Sequence, residues 1–372
     1  LEEAIRRYEL ALQVYTREQF PEQWATTQNN LAAAYAQRIR GERAENLEEA
    51  IRRYELALQA YTREQFPEQW AATQNNLAAA YAQRIRGERA ENLEEAIRRY
   101  ELALQVYTRE QFPEQWAATQ NNLANAYLER IRGERAENLE HAIVHYELAL
   151  QVRTRKSFPV EWAQTQNNLA TAYFERIRGD RAENLERAIE HYELALQVYT
   201  RESFPVEWAT TQNNLAAAYA QRICGERAEN IKYAIQHYEQ AIAVFREAGD
   251  RYSCASTLYN LGLLYRSIGD LEKAVEILKQ SQDRFALIGL TDQVNTIKVT
   301  HADIAYELGV QYVDQGRWYD ALHLFEESLA IRRQNDDLNA RADTIYQIAR
   351  VHHLLGNLDK ARTGYRDALR LY

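Results

Sequence analysis

The sequence has no methionine and only two cysteines, Cys224 and Cys254. Two thiols cannot form a disulfide framework, and a reducing, cytoplasmic setting fits them. Five prolines and thirteen glycines in 372 residues leave little room for linkers. No apolar run approaches the ~18–20 residues that a membrane-spanning helix needs, and no signal-peptide pattern opens the chain. Neither a phosphate-binding Gly-x-x-x-x-Gly-Lys-Ser/Thr loop nor a Gly-x-Ser-x-Gly elbow occurs. Basic residues are outnumbered, 45 against 54 acidic, and the net charge of −9 argues against a nucleic-acid partner. Lacking Met and opening at Leu1 in mid-pattern, the chain reads as a fragment of a longer protein.

What is present is repetition. The string Gln-Asn-Asn-Leu-Ala begins at Gln28, Gln74, Gln120, Gln166 and Gln212, always at the same interval of 46 residues. Each unit carries two helical stripes. Trp24, Gln28, Leu31, Tyr35 and Ile39 form the first. Leu47, Ala50, Ile51, Tyr54, Ala57, Leu58 and Tyr61 form the second. Pro21 suits the first turn of the first helix, whose early N–H groups lack partners in any case. Gly41 ends that helix after Arg38 and Arg40, cations placed for its negative terminus. Asn46 is expected to cap the second helix, with Glu49 completing a capping box. The expected fold is all-α, a solenoid of tandem antiparallel helix pairs.

Leu31-Ala32-x-x-Tyr35, followed by Ala50-x-x-x-Tyr54-x-x-Ala57, resembles the tetratricopeptide signature, with Gln28 where that family often has Trp. The period exceeds the usual ~34 residues by about twelve, which predicts longer helices. This long form resembles the kinesin-light-chain type of repeat. It also resembles arrays in large bacterial proteins, where such repeats adjoin a caspase-like protease or a signalling NTPase. The resemblance implies a right-handed superhelix whose concave wall is built from the first helices. From Gly249 onward the spacing becomes the ordinary one: Tyr265 to Ala274, Tyr312 to Ala321 and His352 to Ala361 are each nine apart. The expected organisation is therefore a stretch 1–248 of near-identical repeats and a continuous stretch 249–372 of three standard pairs. The first comprises a lone leading helix over 1–19 and five helix pairs. Both ends look cut, so end-to-end self-association is one expectation.

The second Asn of each pair repeats as Asn30, Asn76, Asn122, Asn168, Asn214 and Asn260. An amide offers both donor and acceptor, so such a ladder can read an extended peptide backbone. The resemblance implies the same use, because Asn at the matching place clamps ligand backbone in related arrays. The alternative is that the Asn residues bond neighbouring helices and hold the stack. Beside the ladder the identical units present Ala33, Ala36, Ala79 and Ala82, whereas later units present Asn125 and Glu129, then Phe174 and Glu175, then Arg266. These divergent residues are the expected source of selectivity, from Asn122 toward the C-terminal end. His141 and His145 have metal-ligand spacing, but Ala142 follows His141 where a zinc protease needs Glu. His145, His191 and His237 replace Arg53 and Arg99 in the unit, which predicts a solvated face. No metal, cofactor or catalytic residue is expected. The expected partner is a protein or peptide held in the concave groove. The rival expectation is a regulatory arm packed on a protease or NTPase domain elsewhere in a bacterial signalling or defence protein.

Overall fold

The computed structural model describes residues 1–334 and 337–372. Seventeen α-helices occur among the described residues, in two compact units, Leu1–Tyr199 and Thr200–Tyr372. In the first unit α1 (Glu2–Ala11) precedes four antiparallel pairs. These are α2 (Pro21–Ala36) with α3 (Arg43–Ala57), α4 (Pro67–Ala82) with α5 (Arg89–Leu104), α6 (Pro113–Glu129) with α7 (Arg135–Leu150), and α8 (Pro159–Glu175) with α9 (Arg181–Leu196). The second unit holds α10 (Pro205–Gln221), α11 (Arg227–Glu247), α12 (Arg251–Ser267), α13 (Leu271–Leu287), α14 (Thr291–Asp314), α15 (Trp318–Arg332), α16 (Leu338–Leu354) and α17 (Leu358–Leu371).

The twelve extra residues of the long repeat lie in loops, contrary to the expectation of longer helices. Helices α2 and α3 have 16 and 15 residues, whereas α12 and α13, in the ordinary spacing, have 17 each. The added length sits at 37–42 and 58–66. Gly41, at φ 78°, makes the first of these turns with a backbone that a side chain would strain.

Asn46 does not cap α3. The N-cap is Glu42, and Asn46 is buried four residues inside the helix. Its Nδ2 donates to the carbonyls of Arg40 at 2.8 Å and Arg38 at 3.4 Å, so it pins the long loop to the helix. Asn92 and Asn138 do the same for the next two loops. Replacing Asn92 with Ala should cost about 1–2 kcal/mol, because those carbonyls lose a buried donor. A lowered urea midpoint with unchanged helicity is the expected result.

The last turn of α2 is served by Arg43, which donates to the Ala36 carbonyl, and not by Arg38. Arg38, Arg84, Arg130 and Arg176 instead tie one repeat to the preceding one. They form two-pronged pairs with Glu2, Glu48, Glu94 and Glu140 at 2.7–2.9 Å. The Arg84 bond holds the Glu48 carboxyl below its usual range. Each of these guanidiniums also lies 5.7 Å from the ring of Tyr35, Tyr81, Tyr127 or Tyr173.

Leu31, Leu77, Leu123 and Leu169 are fully buried, and Ala50, Ala57, Ala96 and Ala103 let the helices approach closely. Trp24 is half-buried beside Ala25, Ala57 and Tyr61, at the edge of this core. Ile39 leaves the stripe altogether, 93% exposed in the loop. The histidines also depart from expectation. His145, His191 and His237 are not on a solvated face: each ring stacks on Tyr127, Tyr173 or Tyr219. Their Nδ1 atoms meet Gln120, Gln166 and Gln212 Oε1 at 2.5–2.6 Å. Arg53 and Arg99 fill the same place by donating to Gln28 and Gln74.

Candidate ligand clefts along the first helices

Consecutive first helices of the first unit touch one another: α2 meets α4, α4 meets α6, and α6 meets α8. The adjacent asparagines at these junctions divide into two rows. The first row is structural. Thr73, Thr119 and Thr165 donate their hydroxyls to Asn29, Asn75 and Asn121 Oδ1, each at 3.1 Å, sharing the proton with a carbonyl one turn back. The second row points elsewhere. Asn30, Asn76, Asn122 and Asn168 are half-buried, and Asn75 and Asn121 each donate to the Oδ1 of the Asn that follows at 3.5 Å.

Two clefts open on this second row. The first, about 820 Å³, lies between α2 and α4 and is walled by Ala33, Ala36, Asn76, Ala79 and Gln83, with Tyr54 behind. The second, about 400 Å³, lies between α4 and α6, with Ala79, Asn122, Asn125 and Glu129 around Tyr100. Of the residues expected from sequence, Asn76 thus lines the first cleft, and Asn122, Asn125 and Glu129 come together in the second. Tyr54, Tyr100, Arg43 and Arg89 also line these clefts. In the sequence Tyr54 falls in the second helical stripe, and Tyr100 is its copy one unit later. The available signal was the small residue beside each Tyr, Ala33 and Ala79, which becomes Asn125 and Thr171 further on.

Several of the expected residues, two of those in the second cleft included, have partners inside the protein. Glu129 and Glu175 form ion pairs with Arg89 and Arg135. Asn125 Oδ1 accepts from the Tyr146 hydroxyl at 2.5 Å and from Asn168 Nδ2 at 3.1 Å. The Phe174 carbonyl accepts from Arg181, whose guanidinium lies 5.3 Å from the Phe174 ring. In the second unit, Asn214 Oδ1 accepts from Asn213 Nδ2 at 3.1 Å, and Asn260 Nδ2 donates to Asn213 Oδ1 at 3.4 Å. Arg266 pairs with Glu307 at 2.5 Å. Among the described residues no group of three His, Cys, Asp or Glu side chains could hold a metal ion. Likewise, no described helix is long and apolar enough to cross a membrane.

Helical hairpins stacked in this way, with clefts between their first helices, define a class of repeat scaffold. Family models described as tetratricopeptide repeat match residues 24–62, 70–109 and 162–202, and 224–286 and 300–372, together more than half of the chain. The chain belongs to the tetratricopeptide repeat superfamily, whose members are in general protein-interaction scaffolds. No curated protein sequence matches it. Among solved structures it is similar in fold to the apo form of RapI, at 15% identity and TM-score 0.57, over 83% of this chain and 97% of that one. It is also similar to a signal transduction ATPase with numerous domains that carries a tetratricopeptide repeat sensor, from Pyrococcus horikoshii. There the identity is 15% and the TM-score 0.54, over all of this chain and 53% of that protein, so this chain spans about half its length. A Rap protein complexed with Competence and Sporulation Factor matches at 13% identity and TM-score 0.50, over 93% and 97% of the two chains.

Proposed function

We propose that the chain is a non-catalytic recognition arm that holds an extended segment of a partner protein along its first helices. The observation that carries this reading is the division of labour within each Asn pair. Asn75 and Asn121 are engaged with Thr119 and Thr165, while Asn76 and Asn122 line open clefts one repeat apart. Amides at a fixed interval suit the regular donors and acceptors of an extended backbone. First helices that touch while the second helices stand behind them favour a concave wall on this side. The Rap complex shows a protein of like fold holding a named factor, and the proposal for this chain takes the same general form. A cytoplasmic, bacterial setting within a larger signalling protein belongs to the same reading. The sensor part of the Pyrococcus ATPase, matched over the whole of this chain, favours the variant in which binding here controls a neighbouring domain.

The test is panning of the full chain against a random peptide display library. Selected peptides should bind the Asn76→Ala/Asn122→Ala variant roughly tenfold more weakly or worse, with helicity unchanged. Failure to select any peptide would count against the reading.

A further inference from the structure

The Tyr at the back of each cleft meets a different neighbour along the array. In the third pair Tyr146 donates its hydroxyl to Asn125 Oδ1, and in the fourth Tyr192 shares a 3.0 Å bond with Thr171. In the first two pairs the matching residues are Ala33 and Ala79, which can take no such bond. Tyr54 and Tyr100 are each only 3% exposed, yet they line the clefts, and no hydrogen-bond partner meets either hydroxyl among the described residues. Desolvation alone acts on Tyr54 and pushes its pKa up to about 12, so the hydroxyl keeps its proton and stays a donor. Neither hydroxyl is fully enclosed by protein atoms, so each opens on its cleft, where an acceptor carried by a ligand can reach it.

The charges around the two clefts differ. No carboxylate lines the first cleft; its charged residues are Arg38, already paired with Glu2, and Arg43. Arg43 reaches only neutral oxygens, the Ala36 carbonyl and Gln83 Oε1, the latter at 2.7 Å. In the second cleft Glu129 stands where Gln83 stands in the first, and it neutralises Arg89. The Gln83 Oε1 faces Arg43, which leaves the Gln83 amide nitrogen as a donor, and the Asn76 Oδ1 faces Asn75 in the same way. The first cleft therefore offers one uncompensated positive charge and three donors: the Tyr54 hydroxyl and the amide nitrogens of Asn76 and Gln83.

We propose that the Tyr54 cleft takes the carboxylate of an acidic side chain carried by the bound segment, and that the residue at position 33 decides whether the cleft is open. Ala33 leaves the Tyr54 hydroxyl to the ligand, as Asn125 and Thr171 do not leave theirs. The inference rests on the peptide-binding reading above and adds the chemistry of one subsite.

The experiment uses peptides selected by panning the full chain against a display library whose members have no free C-terminus. They should share an Asp or Glu, and changing it to Asn or Gln should weaken binding roughly tenfold. Tyr54→Phe and Ala33→Asn should each weaken binding of the acidic peptide by a similar factor. They should do little to its amide counterpart and leave the melting temperature of the chain nearly unchanged. Amidating the C-terminus of the synthetic peptide should change nothing. Selected peptides with no shared acid, or affinities indifferent to Tyr54→Phe and Ala33→Asn, would overturn the subsite while leaving peptide recognition standing. A requirement for a free C-terminal carboxylate would also overturn it. Recovery of no peptide at all would remove both.

Discussion

Replacing Phe325 with Ala should cost about 3–5 kcal/mol. Phe325 is fully buried on α15, and its ring lies 5.6 Å from that of Tyr306 on α14. The facing residue is Gly309, where an added Cβ would come within 2.7 Å of the ring. The ring therefore occupies the space that the missing side chain leaves, and truncation opens a cavity between two helices that cannot collapse further. The reverse change tests the same contact. Gly309→Ala should overpack the site and cost about 1–3 kcal/mol. It should cost less in a Phe325→Leu background, because the two positions share one space and their effects do not add. Urea unfolding of the single and double variants measures both terms. Full additivity would mean that the helices move apart and that the packing is not fixed by this pair.

Acidification should produce the second large effect. His145 is buried as the neutral imidazole: desolvation, with His141 adding to it, lowers its pKa to about 4. The same desolvation lowers His191 and His237. In the unfolded chain each of these histidines titrates near 6.5. Between the two values the unfolded state binds more protons, so stability is full above about pH 6.5 and falls as the pH drops towards 4. His145 alone should account for about 2 kcal/mol of loss by pH 5. The earlier repeats suggest how to remove the effect. Arg99 fills the same place, donates to Gln74 and pairs with Glu95 one turn back. A His141→Glu/His145→Arg variant restores that arrangement in the third repeat. Its urea midpoint should fall less between pH 7.5 and 5 than that of the parent. An equal fall in both would place the acid sensitivity elsewhere.

The regular features of the fold could be read from the sequence, because a repeat states its own register. Leu31 and its copies, Ala50 and its copies, and the prolines that open the first helices each fix a position in every unit. Interactions that cross from one repeat to the next could not be read in this way. By position Arg38 belongs to the end of its own helix, but its partner is Glu2, thirty-six residues earlier. Asn46 has the composition of a cap but reaches back over a loop whose path the pattern does not give. The histidines replace arginines, which suggests water, yet both side chains are there to satisfy a buried Gln. The candidate site shows the same limit. Asn76 and Asn122 were expected to face a ligand, and they line clefts. Asn125, Glu129 and Glu175 diverge from the earlier units, which suggested selectivity, but in the structure they bind Tyr146, Arg89 and Arg135. Divergence along a repeat does not separate a ligand contact from a new internal bond, because both replace Ala or Gln with a stronger hydrogen-bonding group.

If adjacent asparagines do different work, a paired measurement separates the two rows. Asn76→Ala/Asn122→Ala and Asn75→Ala/Asn121→Ala would be compared for binding to a library-selected peptide and for thermal unfolding. The first variant should lose roughly tenfold or more in affinity and melt like the parent, while the second should lose about 1–3 kcal/mol of stability. If the first variant kept its affinity, or melted as early as the second, both rows would be structural and the clefts would not be the recognition site.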